Sequence, residues 1–168
     1  MRTEPWYRRT ARGALAGGAA TVAMSAVQFP TAVAAGRRPP PLEITRRLHL
    51  GFGRRPDPPT VLMKGLALHL AFGTACGALY ATFAPRRFRE LTASAYAGLL
   101  YAGSYRGLLP AMRLHPHSGK DDTGRQVANL VAHLVYGVTL AEMLRWTDPH
   151  DRDRDDVEAE HDAARLSA

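Results

Sequence analysis

Two histidines carry the chemistry most worth weighing in this sequence. His69 opens HLAFGTACGALY and His133 opens HLVYGVTLAEML, so one kernel, H-L-x-aromatic-G, occurs twice at a displacement of 64 residues. On a helix, His69, Phe72, Gly73, Cys76, Gly77 and Tyr80 fall on one stripe. Gln126, Asn129, His133, Tyr136, Gly137, Leu140 and Ala141 form the matching stripe, more polar at its start. Three uses of such a pair stand open. Two opposed imidazoles, each with a glycine one turn away to make room for the ring, can ligate a b-type haem inside a four-helix bundle. Imidazole also titrates near neutral pH, which suits a proton relay, an acid-sensing site or solute handling. The third use is structural: interhelical hydrogen bonds to Asn129, Thr74 or Ser94 that fix the packing.

The rest of the sequence offers little chemistry. No G-x-S-x-G, Walker loop, HExxH or dinucleotide fingerprint occurs. Cys76 lies on the apolar stripe without a basic neighbour and reads as a packing thiol. His115, His117, Asp121 and Asp122 sit in a polar loop with no geometry to hold a metal. The expectation is a non-enzymatic protein with no catalytic residue, no metal and no cofactor. Its alternative is a redox carrier with haem b on His69 and His133.

The elements that must position the pair are legible from where charge is missing. Uncharged runs cover Gly13–Gly36, 24 residues, and Gly65–Pro85, 21 residues. Leu91–Tyr105 adds 15 and Gln126–Ala141 adds 16. About 20 apolar residues cross a bilayer core, so the first two qualify alone and the last two with their flanks. The slightly negative mean hydropathy of −0.21 averages these runs with dense polar stretches. The reading is an all-α polytopic membrane protein with four transmembrane helices near 13–35, 62–84, 91–112 and 126–146. Residues 1–12 form a basic N-terminal tail, 13–146 the membrane domain, and 147–168 a charged, disordered tail. A soluble Ala-rich bundle is the competing architecture. A cleaved signal peptide ending at Ala32-Val33-Ala34 competes for the first run, but that run is longer than the usual h-region and carries Pro30 late.

The net charge of +7 rests almost entirely on arginine. Its distribution lacks the aromatic-interleaved basic surface of a nucleic-acid binder, which excludes that class. With four spans the 22 Lys and Arg divide 11 to 11 between the two sides. Cytoplasmic termini follow only from the four arginines before the first span. Between the first two spans, PPPLEITRRLHLGF reads as a short interfacial helix. Ile44 and Leu48 share one face, Glu43, Arg46 and Arg47 the other, and Gly51 is the stop. Gly73-xxx-Gly77 and Gly103-xxx-Gly107 are small-residue patterns for close helix approach, with Gly137 in the second repeat. Gly18–Pro30 also resembles Gly98–Pro110, so the chain reads as a duplicated helical hairpin with both halves in one orientation. His69 and His133 then lie at similar depth, with Asn129 and Gln126, inside the bundle. The partner is the lipid bilayer, and a homodimer would cover any Gly-rich face left unused.

The order of the Gly/Ala-rich first run, PPPLEITRRL, HLAFGTACGALY, GSYRGLLPAM and HLVYGVTLAEML resembles small, largely uncharacterised bacterial inner-membrane proteins of the YagU-like type. The resemblance spans roughly residues 11–145. It implies a four-helix protein of the inner (plasma) membrane linked to acid tolerance, and it carries over no active-site residue.

Overall fold

The computed structural model describes residues 5–85, 89–111 and 123–148. Every element among them is helical: α1 (Trp6–Ala34), α2 (Pro40–Gly51), α3 (Pro58–Phe83), α4 (Arg89–Ala102), a π-helical segment (Gly103–Leu108), α5 (Leu109–Ala111) and α6 (Thr123–Thr147). The all-α expectation holds, and helix covers each of the four expected runs. Among the described residues, α3 and α6 are long and apolar enough to cross a membrane. α1 packs against both α3 and α6, α4 packs against α6, and α2 lies on α3.

Boundaries differ from the sequence reading in three places. α1 begins at Trp6, so most of the basic segment 1–12 is helix and not tail. The third run does not stay a single α-helix: after Ala102 its hydrogen bonding widens to i→i+5, a local arrangement common at functional sites. Gly51 is still helical, and the stop is Gly53. There φ is +69° and Arg54 N–H donates to His49 O at 2.9 Å, closing a left-handed C-terminal turn. Gly36 ends α1 the same way, with φ +65° and Arg37 N–H donating to Ala32 O at 2.9 Å. The expected disordered tail falls, from residue 149 onward, outside the described residues, as does the loop with His115 and His117.

Small residues set the helix spacing. Gly13 and Gly17 of α1 face Gly73 and Gly77 of α3 so closely that a Cβ on Gly17 would lie 2.5 Å from Gly73 O. In the other half Gly137 of α6 meets α4, where its Cβ would sit 2.8 Å from Ala93 O and 3.0 Å from Ala97 Cβ. Such backbone contact substitutes for the Leu-rich ridges these helices lack. Gly103 and Gly107 are different: a Cβ on either meets nothing within 4 Å. The close approach expected of that pair is not made among the described residues, where both glycines are exposed.

α2 has the amphipathic form expected of it. Pro40 and Pro41 occupy its first turn, where their missing N–H groups cost nothing. Glu43 accepts from Arg46 Nε at 3.0 Å, Arg46 Nη2 at 2.7 Å and Arg47 Nε at 2.7 Å. The Arg46 hydrogen bonds, seconded by Arg47, hold the Glu43 carboxyl down to about 2 from an ordinary 4.5. A depressed folded-state pKa contributes stability that is complete above the ordinary value and lost as pH falls toward the depressed one. We therefore expect the Glu43 clasp within α2 to persist at pH 5 and to be lost between about pH 4 and 2. Following the Glu43 carboxyl by NMR tests this, since a midpoint near 4.5 would mean that the arginine clasp is absent in solution. α3 starts on Asp57, whose side chain accepts from Thr60 N–H at 3.2 Å.

Candidate functional site

The half of the bundle nearest α2 holds a partly open cavity of about 310 Å³, with the half-exposed Leu68 and Phe72 of α3 at its edge. Its walls come from every long helix: Thr21, Met24 and Gln28 of α1, Leu68 to Cys76 on α3, Leu100 and Tyr101 of α4, and Asn129, His133 and Tyr136 of α6. Pro41, Ile44 and Thr45 of α2 form its roof, and Ser104 and Tyr105 reach it from the π-helical segment. Residues 100, 101, 104 and 105 reach the cavity with the same spacing as residues 68, 69, 72 and 73 of α3. Tyr101 and Tyr105 stack at 5.3 Å between ring centroids, and Tyr101 meets the His133 ring edge-on at 5.4 Å.

The fold brings His69, His133 and Asn129 to one space, as their spacing implied. Their hydrogen bonding is not the interhelical clamp considered above. His133 Nδ1 donates to Asn129 O at 2.7 Å, one turn back on its own helix. That bond places the proton on Nδ1 and leaves Nε2 as an acceptor. His69 Nε2 is buried and has no hydrogen-bond partner among the described residues. Gln126 lies on the first turn of α6 but does not line the cavity. Gly73 lines it and accepts a hydrogen bond at its carbonyl from Tyr136 Oη at 2.7 Å, which ties α6 to α3 across the bundle. Cys76 is buried on the wall, and its carbonyl accepts from Tyr96 Oη at 3.0 Å.

Two features escaped the sequence reading. Gln28 is 4% exposed, lines the cavity, and its Oε1 has no partner among the described residues. Its signal was present, since it is the one side-chain amide in the first uncharged run. At the other end of the bundle, Arg89 Nη2 donates to Asp148 Oδ2 at 2.9 Å, with Arg12 3.7 Å from the same carboxylate. Asp148 is 5% exposed, so it belongs to the packed structure and not to a solvated tail. Arg12 also donates to Thr147 O at 2.8 Å and Arg9 to Ala84 O at 3.0 Å, latching the helix ends together.

Between that latch and the cavity the bundle is filled by Ala16, Ala93, Ala97 and Leu140, each 3% exposed or less. The cavity is therefore one-ended. None of its lining residues is Asp, Glu, Lys or Arg, and among the described residues no cluster of three His, Cys, Asp or Glu could hold a metal ion.

The sequence model of a family of unknown function, DUF6789, matches residues 7–155. The chain belongs to that family. The match takes in all the described helices except the first residue of α1, and with them every cavity residue. DUF6789 membership carries no activity with it; it agrees with an uncharacterised protein and does not confirm the YagU-like type. No match was found among curated proteins or among solved structures.

Proposed function

We propose that this DUF6789 protein is a non-enzymatic integral membrane protein of four spans, with a one-ended interior cavity that binds a small solute beside His69 and His133. The observation that carries this reading is the inside-out character of α3 and α6. The core helix of a soluble protein buries its apolar residues, whereas only 28% and 39% of the most apolar windows of these two helices are buried. Leu62, Leu66, Leu70 and Phe83 on α3, and Val127, Val131, Leu134 and Val138 on α6, are exposed. The same two helices turn their histidines inward. Apolar surface outward and ionisable groups inward is the arrangement a bilayer selects, and it argues against a soluble Ala-rich bundle.

The packing also favours two repeated hairpins. Gly13 and Gly17 meet α3 as Ala93 and Ala97 meet α6, and Gly73 corresponds to Gly137 at the displacement of the histidine kernels. The bundle sits in the bacterial inner membrane with both termini cytoplasmic, and α2 lies at the opposite interface with its arginines among lipid phosphates.

Solute binding is favoured over proton conduction because the Ala- and Leu-filled half offers no polar path onward. It is favoured over haem because about 310 Å³ lies at the small end of ligand sites, too little for a porphyrin between the two rings. The single cysteine tests the reading. In carbonate-washed membranes Cys76 should react with methyl methanethiosulfonate, which is small and membrane-permeant, and not with a bulky sulfonated maleimide. Ready labelling by the maleimide would place Cys76 in open water and sink the interior site.

A further inference from the structure

Resting on that reading, we infer that the cavity's ligand is a neutral, compact ring compound bearing a hydroxyl group, held by Gln28 and His69 beneath the α2 roof. Charge settles the first property. No acidic or basic side chain other than imidazole lines the space, and an ion brought there would lose its hydration with nothing to compensate it. Size settles the second. A dry cavity of about 150 Å³ takes one benzene, so this one fits a ligand of about two fused rings. The walls suit flat rings, since Phe72, Tyr101, Tyr105 and Tyr136 all line the cavity.

The hydroxyl follows from what the protein leaves unsatisfied. Buried polar atoms in folded proteins nearly always have partners, and the exceptions call for an explanation such as a bound group. Among the described residues two such exceptions, Gln28 Oε1 and His69 Nε2, lie on side chains that line this one cavity. Gln28 Oε1 accepts only. A hydroxyl donates its one proton to Gln28 Oε1 and accepts from His69 Nε2–H, so the same group satisfies both atoms when that imidazole carries its proton on Nε2. A hydrocarbon of the same shape leaves both atoms orphaned, which is the condition under which a site rejects an isostere strongly.

The roof is packed closely onto α3. α2 touches α3 through Leu42 and Pro41, where Gly65 has no side chain and a Cβ would lie 2.8 Å from Leu42 Cδ2. Left-handed Gly36 and Gly53 stand on either side of α2, so the helix is bounded by two glycine turns.

The test uses the full chain in lipid nanodiscs, with 1-naphthol and naphthalene as probes at equal concentration in the bilayer. 1-Naphthol should raise the thermal midpoint by roughly 5–10 °C at a hundredfold excess over its Kd, and naphthalene should do much less. Gln28→Leu should erase the difference between the probes. Ser104→Phe, which fills the cavity while leaving Gln28 and His69 in the sequence, should abolish both responses and serves if Gln28→Leu does not fold. Equal shifts from both probes in the unaltered chain and in Gln28→Leu would overturn the proposal, as would no shift from either probe. A chain that leaves the membrane on washing defeats the membrane reading alone, because the naphthol preference can then be measured in water with the same expected result.

Discussion

Replacing Gly77 by leucine should abolish the folded protein outright. A Cβ at this position would lie 2.5 Å from Gly17 Cα and 2.8 Å from Gly17 N, and it would also meet Gly13 O. These are backbone atoms of α1, which have no rotamer to change and can yield only if the two helices separate. Separation opens the whole α1–α3 seam, including the close approach of Gly17 to Gly73, and takes one wall from the cavity. Even Gly77→Ala, which gains about 1 kcal/mol in helix propensity, should be destabilising overall by up to about 2 kcal/mol, since overpacking against fixed atoms costs about 1–3 kcal/mol. Gly98→Ala is the internal control. A Cβ there meets nothing within 4 Å, so it should be neutral or stabilising by up to about 1 kcal/mol. Thermal unfolding of the three variants in one detergent decides the matter. A Gly77→Leu protein as stable as the Gly98→Ala control would show that α1 and α3 do not pack through these glycines.

Asp148→Ala should produce the second large loss. The Arg89 and Asp148 side chains are 10% and 7% exposed, and their 2.9 Å bond joins the first turn of α4 to the end of α6. Removing one partner of a buried pair weakens the compensation of the charge left behind, at up to about 3–5 kcal/mol. Arg12, 3.7 Å from the same carboxylate, loses its attraction too. The penalty belongs to the charge left behind and not to the pair as such, so Arg89→Met combined with Asp148→Leu should recover most of the loss. The comparison is a double-mutant cycle on the unfolding midpoint. If the double variant is as unstable as the two single losses added together, the pair is not coupled and the account of this end of the bundle is wrong.

The four helical runs were legible because absence of charge over 15 or more residues is a coarse signal that survives an Ala- and Gly-rich composition. The cavity pair was legible for a related reason. His69, His133 and Asn129 share a helical phase and a repeat displacement, and two helices running the same way carry equal phase to equal depth. Gly103-xxx-Gly107 misled because spacing gives a face and does not say which face packs. The packed face of α4 is set by Arg89, Ala93 and Ala97, and Gly103 falls off it. Asp148 was misassigned because it begins an acid- and base-rich stretch. Its burial depends on Arg89, which is 59 residues away in sequence, a contact that no local pattern encodes. Gln28 was overlooked because one amide in a long apolar run looks incidental until the opposite walls are in place.

The account stands or falls on α3 and α6 facing lipid while their histidines face inward. The most direct measurement is the fate of the chain in alkaline-carbonate-washed membranes, with labelling of Cys76 read on the retained material. The account predicts retention in the pellet, modification by the small permeant thiosulfonate, and protection from the sulfonated maleimide on both sides of the membrane. Recovery of folded protein in the wash, or full labelling by the maleimide, would contradict it.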